Sequence, residues 1–354
     1  MQDKVNISIK EILLLLIVLL INIRLTMGIL GISTILPTYL ILITTIVSTR
    51  LTIKNIIIII LLSIICFLQP ESIVLAQLLL IALNFYSLPL TFISKINLSI
   101  QFIFFFINLI LLGFGIIHEN IATGDKAGAT DLGYGNINTL SCFAYYFILY
   151  LYLFFCKKLR YKNLIFVIIT TLSVLTYYTT KGRTYFIAEI VLLCMSFKFV
   201  LKTKLIRNSI VYTLPILIIG LLSYSLYQYS IGNKALDIFF SGRLMYTLNY
   251  LRTLSLKDLL LGSRYDSNLI IDIAYIKILS SGGMIFLILF FYLYYKAAKA
   301  LIHNYQYIPI VVSLLIAGMA ESVFSHLSLS GGILIWIVLV KLSKSKESHL
   351  YSIQ

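Results

Sequence analysis

Hydrophobic positions in this chain come in long unbroken runs rather than in alternating stripes: "EILLLLIVLLINI" from residue 11, "NIIIIILLSIICFL" from 55, "SIQFIFFFINLILLGFGII" from 99 and "GGMIFLILFFYLYY" from 282. About 20 consecutive apolar residues carry a helix across a bilayer. A helix satisfies its own backbone there, where water cannot. The pattern predicts twelve transmembrane helices, at 11–27, 30–48, 55–69, 72–92, 96–116, 137–156, 163–180, 184–200, 209–229, 270–295, 308–325 and 331–342. The expected fold is an all-α polytopic integral membrane protein with one membrane domain over 1–354. Arg24 shortens the first span, and the last reaches across only if it is extended.

Composition agrees: 60% of residues are hydrophobic and 12% charged, against about 25% charged in soluble domains. The first apolar run has no small-residue cleavage site after it and reads as a retained span. Cys66, Cys142, Cys156 and Cys194 all lie in apolar stretches without a C-x-x-C, so they read as buried thiols. His118, His303, His326 and His349 are far apart, and no metal site is expected.

The net charge of +15 raises the question of a nucleic-acid partner. Placing the charges answers it. With the N-terminus cytoplasmic, 18 of the 28 Lys and Arg fall in cytoplasmic segments with only Asp3, Glu11 and Glu347 against them, so that side carries the whole +15, while the other face is neutral. The imbalance is topology, no nucleic acid is needed, and both termini are expected inside the cytoplasmic membrane.

Two extracytoplasmic segments are long, about 117–136 and about 230–269, and long loops carry function more often than short ones. In the second, Leu244, Leu248 and Leu251 recur at helical spacing and predict a short amphipathic helix at the interface. Arg243 and Arg252, nine residues apart, fall on opposite faces of such a helix. Arg243 shares its face with Thr247 and Tyr250 and is the better candidate for a buried site. Lys257–Asp258 reads as a solvated pair, and Gly262 before Arg264 allows a tight turn.

Ionisable residues at membrane depth are costly and mark function by default. In "TTKGRTYFIAE" (179–189), Lys181 and Arg183 sit at a helix end, where they either snorkel or, for Arg183, fork onto phosphate oxygens. Glu189 reads as a structural partner in the following helix. Asp272 and Tyr275 share a face at i, i+3 at the start of the tenth span, whereas Lys277 is badly placed to pair with Asp272. Asp272 is either a general base or the neutraliser of a nearby arginine. Glu321 and His326 lie in the eleventh span and at its outer end.

Four stretches resemble the Wzy-type polysaccharide polymerases, in the superfamily of the O-antigen ligases. These are "DLGYGNINTLSCFAYY" (131–146), with Ile137 where proline is usual; "TTKGRTYFI" (179–187); "FSGRLMYTLNYL" with the following "LLLGSRYDSNLIIDIAYIKILSSGGMI" (240–285), where Ile273–Ala274 departs from the usual polar residue; and "AGMAESVFSH" (317–326). The resemblance implies a GT-C-like membrane glycosyltransferase that uses no cofactor. It would join undecaprenyl-diphosphate-linked oligosaccharide repeat units on the outer face, making capsular polysaccharide or exopolysaccharide. Flippase and chain-length regulator proteins would be its partners, besides membrane lipid. It implies catalytic roles for Asp272, Arg243 and Arg183, with Arg264, Tyr275, Glu321, His326 and Asn138 in substrate binding. A lipid-linked oligosaccharide flippase or transporter, and a ligase-like glycan transferase, stay open as alternatives.

Overall fold

The computed structural model describes residues 8–49, 52–123, 126–156, 162–197, 202–240, 242–263, 271–325 and 331–345. Fifteen α-helices follow one another in these residues: α1 (Ile9–Ile29), α2 (Ile35–Val47), α3 (Ile53–Leu68), α4 (Ile73–Phe85), α5 (Leu90–Gly113), α6 (Ile137–Phe155), α7 (Lys162–Thr180), α8 (Arg183–Met195), α9 (Lys204–Ser230), α10 (Ala235–Phe239), α11 (Arg243–Thr253), α12 (Leu256–Leu261), α13 (Ala274–His303), α14 (Ile308–Ala317) and α15 (Gly332–Ser343). Each predicted span has a helix, but six of these are long and apolar enough to cross a membrane: α1, α5, α6, α7, α9 and α13. The chain is a membrane-embedded helical protein.

Its surface chemistry is that of lipid contact. Ile43, Phe102, Ile110, Ile216 and Ile288 are all exposed, while Asn22, Asn97, Gln101 and Asn108 are buried. Water would not tolerate so much exposed apolar surface. Lipid offers the amides no partner, so they turn inward, and two of them bond the backbone of their own helices. Asn22 Nδ2 donates to Val18 O and Asn97 Nδ2 to Ile93 O, each 2.9 Å.

The chain forms two compact units. The first comprises residues up to 55, 80–182 and 327–331. Here α1 packs on α2 and α5, α5 on α6 and α6 on α7. Helix starts follow local chemistry. Ser8 and Glu11 form a reciprocal capping box on α1, Pro89 precedes α5, and the Asn136 side chain accepts from Asn138 N at the head of α6. The 117–136 loop is organised by Asp131, wholly buried, whose carboxylate accepts from the backbone N–H groups of Asn120 and Gly133 and from the Asn120 amide.

The second unit comprises residues 56–79, 183–326 and 332 onward. Its core is aromatic. Tyr275 and Phe290 of α13 pack around Phe324, and Trp336 of α15 lies edge-on to Phe290 while its indole N–H donates to Phe324 O at 2.9 Å. Helix α8 lies against α14, where Ser313 Oγ donates to Ala188 O.

Three predicted spans are not continuous helices. The span expected over 72–92 stops as a helix at Phe85, and residues 86–89 turn the chain into α5. Helix α13 starts at Ala274 and is broken at Gly283 (φ 66°, ψ −170°). The span expected over 308–325 stops as a helix at Ala317, and Gly318–Ser325 runs on as turns.

Candidate functional site

Within the second unit, three charged side chains meet. Arg243, the first residue of α11, places Nε 3.3 Å from Asp272 Oδ2 and Nη2 2.6 Å from Glu321 Oε1. Its third contact is Nη1 to the carbonyl of Phe240 at 3.5 Å.

Local structure explains how each arrives. Gly242, with φ 79°, turns the chain into α11, while Asp237 at the preceding short helix accepts from Leu244 N and anchors that turn. The face of α11 that turns inward carries Arg243, Leu244, Thr247 and Tyr250, and Arg252 is exposed. The predicted opposition of the two arginines holds. The buried face is, however, more polar than the leucine spacing implied. Asp272 lies in the extended segment before α13 rather than on the helix, and Ala274 N donates to Gly318 O at 2.9 Å. That bond joins the strand-like entry of α13 to the turns after α14, and so brings Asp272 beside Glu321. Broken helix ends are tolerated at membrane depth where protein surrounds them.

The break in α13 at Gly283 is filled by α12. Ser255 and Asp258 cap it reciprocally, and it ends at Gly262 (φ 91°). A Cβ on Gly262 would stand 2.7 Å from Ser280 O, and one on Gly283 would collide with Leu260 O. Only glycines let these two segments touch. Ser263 locks the seat: its N–H donates to Ser280 O, its carbonyl accepts from the Gln69 amide, and its hydroxyl bonds Tyr250 at 2.9 Å. Burial pushes the Tyr250 phenol above its ordinary range, with the Ser263 bond opposing and the Asp258 charge adding to the shift.

One guanidinium faces two carboxylates here. Three of its five N–H groups are committed within the protein. Arg243 and Glu321 side chains are each 10% exposed, whereas Asp272 is 31% exposed. Asp272 is therefore the accessible carboxylate, held by one oxygen to Arg243. Lys277, one turn into α13, feels the charges of both Asp272 and Glu71. Glu71 carried no signal in the sequence, because it lies about 200 positions from its partners, in a turn between two apolar helices.

The other candidates are placed elsewhere. Tyr275 is 4% exposed and its hydroxyl donates to Leu315 O at 2.9 Å, so it serves the core rather than a substrate. Arg183 is exposed at the first position of α8, outside the Arg243 cluster. Glu189 is buried in α8. Asn138 belongs to the first unit, where its carbonyl oxygen accepts from Lys126 Nζ at 2.9 Å. Arg264 and His326 lie outside the described residues. Among the described residues, no group of three His, Cys, Asp or Glu could hold a metal ion. No family model, curated protein or solved structure matches the chain.

Proposed function

We propose that the chain is a Wzy-type membrane glycosyltransferase that joins undecaprenyl-diphosphate-linked repeat units on the outer face of the cytoplasmic membrane. In this reading it is GT-C-like, with twelve spans and both termini inside. The observation that carries the proposal is the convergence of Arg243, Asp272 and Glu321, drawn from two of the stretches that carry the resemblance. Asp272 accepts the proton of an acceptor sugar hydroxyl. The hydroxyl oxygen then bonds the donor's anomeric carbon, and the bond from that carbon to the diphosphate breaks. Arg243, committed to both carboxylates, positions Asp272 instead of clamping the diphosphate. Arg183, exposed at the N-terminus of α8, is the arginine left to meet charge on the leaving group.

The test is a deletion strain complemented with variants, assayed for polymer length. Asp272→Asn is expected to abolish polymer while single translocated repeat units accumulate. Full-length polymer from a well-expressed Asp272→Asn protein overturns the assignment.

A lipid-linked oligosaccharide flippase is the second reading, favoured by the interruption of α13 at Gly283 together with the ion pairs at Arg243. Repeat units trapped on the inner face of the deletion strain would select it.

A further inference from the structure

One end of the second unit carries bases without acids. It is built by the start of α9, the end of α13 and the 3₁₀ turn Tyr305–Tyr307 that leads into α14. Contacts tie these pieces together. The Tyr294 hydroxyl of α13 donates to Val211 O of α9 at 2.7 Å, and the Arg207 guanidinium of α9 lies 5.0 Å over the Tyr305 ring. The stretches that supply them, residues 190–230 and 284–317, hold Lys198, Lys202, Lys204, Arg207, Lys296 and Lys299 and no Asp or Glu. The acids that the structure describes in this unit lie elsewhere. Asp237 follows the far end of α9, and Glu321 follows the far end of α14 and shares Arg243 with Asp272. Glu71 and Asp272 act on Lys277 in the opening turn of α13. Asp258 belongs to α12, which seats at Gly283, about 30 Å along α13 from its last residue. Glu189 is buried in α8 beside Ala188, whose carbonyl accepts from Ser313, about 7 Å along α14 from its first residue. Glu347 lies outside the described residues.

Local helix chemistry does not ask for these cations. Lys204 and Arg207 stand at i, i+3 in the opening turn of α9, where the helix dipole favours negative charge. The Tyr305 ring takes the face of the guanidinium and none of its N–H donors. The Arg207 Nε–H is buried and meets no acceptor among the described residues. Two neighbouring cations at a helix N-terminus repel, and an anion from outside the protein relieves that repulsion.

Depth identifies the anion. Helices α9 and α13 are both long and apolar enough to cross a membrane, and this is where they meet its edge. Leu205 and Leu217 of α9 are exposed, as lipid-facing residues are. A bilayer presents phosphate at the ends of such helices. We propose that Arg207 and Lys204, with Tyr305 as the seat of the guanidinium, bind the headgroup phosphate of an anionic phospholipid. The lipid is anionic because a zwitterionic headgroup would bring its own cation to a place that already holds an excess of them. The site lies wholly in the second unit. It depends neither on which membrane face this end meets nor on the glycosyl-transfer reading.

The experiment titrates the full chain in detergent with phosphatidylglycerol or phosphatidylcholine of identical acyl chains and counts bound lipid by native mass spectrometry. Phosphatidylglycerol is expected to be preferred by about fivefold for each engaged base. Lys204→Ala, at an exposed side chain that packs on nothing, is expected to remove about one such factor, and Arg207→Ala at least as much. Tyr305→Leu is expected to lower the preference, whereas Tyr305→Phe, which keeps the ring face, is expected to retain it. Lys234→Ala removes the same charge from an exposed position beyond the other end of α9 and is expected to leave the preference unchanged. Equal binding of the two lipids by the parent overturns the proposal. So does an equal loss from Lys234→Ala and Lys204→Ala, which would make the preference one of net charge alone. Displacement of phosphatidylglycerol by an equal concentration of inorganic phosphate overturns it too, because the ligand would then be a soluble anion.

Discussion

Arg243 shows how a single side chain changes meaning with its neighbours. On the sequence it is an isolated base that an anionic substrate would seek. In the fold two carboxylates have already claimed it. Removing it leaves Glu321 buried without its cation, at a cost of about 3 kcal/mol or more. Arg243→Ala is expected to lower the unfolding temperature in detergent and to abolish polymer. Arg243→Lys is expected not to restore polymer, because one ammonium cannot reproduce a planar fork that spans two acceptors. Equal stability of the alanine variant and the parent, in a thermal unfolding assay, would argue against a buried pair. Asp258 offers a pH test at the same scale. Bonds from the Ser255 hydroxyl and backbone N–H hold its carboxyl below the ordinary carboxylate range, with Lys257 adding to the shift. A depressed carboxyl stabilises α12 above its unfolded pKa of about 4 and loses that contribution as pH falls through the lower folded value. Amide exchange across 256–261, corrected for its intrinsic pH dependence, is expected to quicken below about pH 4 and to be already fast in Ser255→Ala.

Among elements, the helix interruptions matter more than the helices. Twelve apolar runs were legible because a bilayer demands long apolar helices whatever they pack against. The breaks at Gly283 and after Ala317 were not, because "SSGGM" and "AGMAES" are apolar or small enough to continue a span by hydropathy alone. What breaks α13 is contact with α12, which is visible only once the two are together. Gly283→Ala combines a left-handed backbone with a collision against Leu260 O. It is expected to loosen α12, with faster proteolysis in the 254–263 segment and a lower unfolding temperature. A Gly220→Ala control, where a Cβ would meet open space, is expected to behave as the parent.

For the whole molecule, orientation is the property that the charge pattern predicts and packing does not encode. If the basic segments are cytoplasmic, Ser255→Cys, which is exposed, is expected to react with a membrane-impermeant maleimide in intact cells in which outer barriers have been opened. Lys204→Cys, exposed at the head of α9, is expected to react only after the cytoplasmic membrane is lysed. The reverse pattern would invert the topology and remove Asp272 from the outer face.

Hydropathy and helical periodicity by themselves determined that this is a helical membrane protein, which apolar runs form helices, and that Arg243 and not Arg252 turns inward. These follow from local rules: a bilayer sets helix length, and 100° per residue sets the face. Only the tertiary structure decided that Arg243 serves Asp272 and Glu321, that Tyr275 belongs to the aromatic core, and that Asn138 pairs with Lys126 in the other compact unit. An ion pair between positions 243 and 321 depends on a helix that stops early and a turn that bonds back to the entry of another. No periodicity within a single segment records such a meeting.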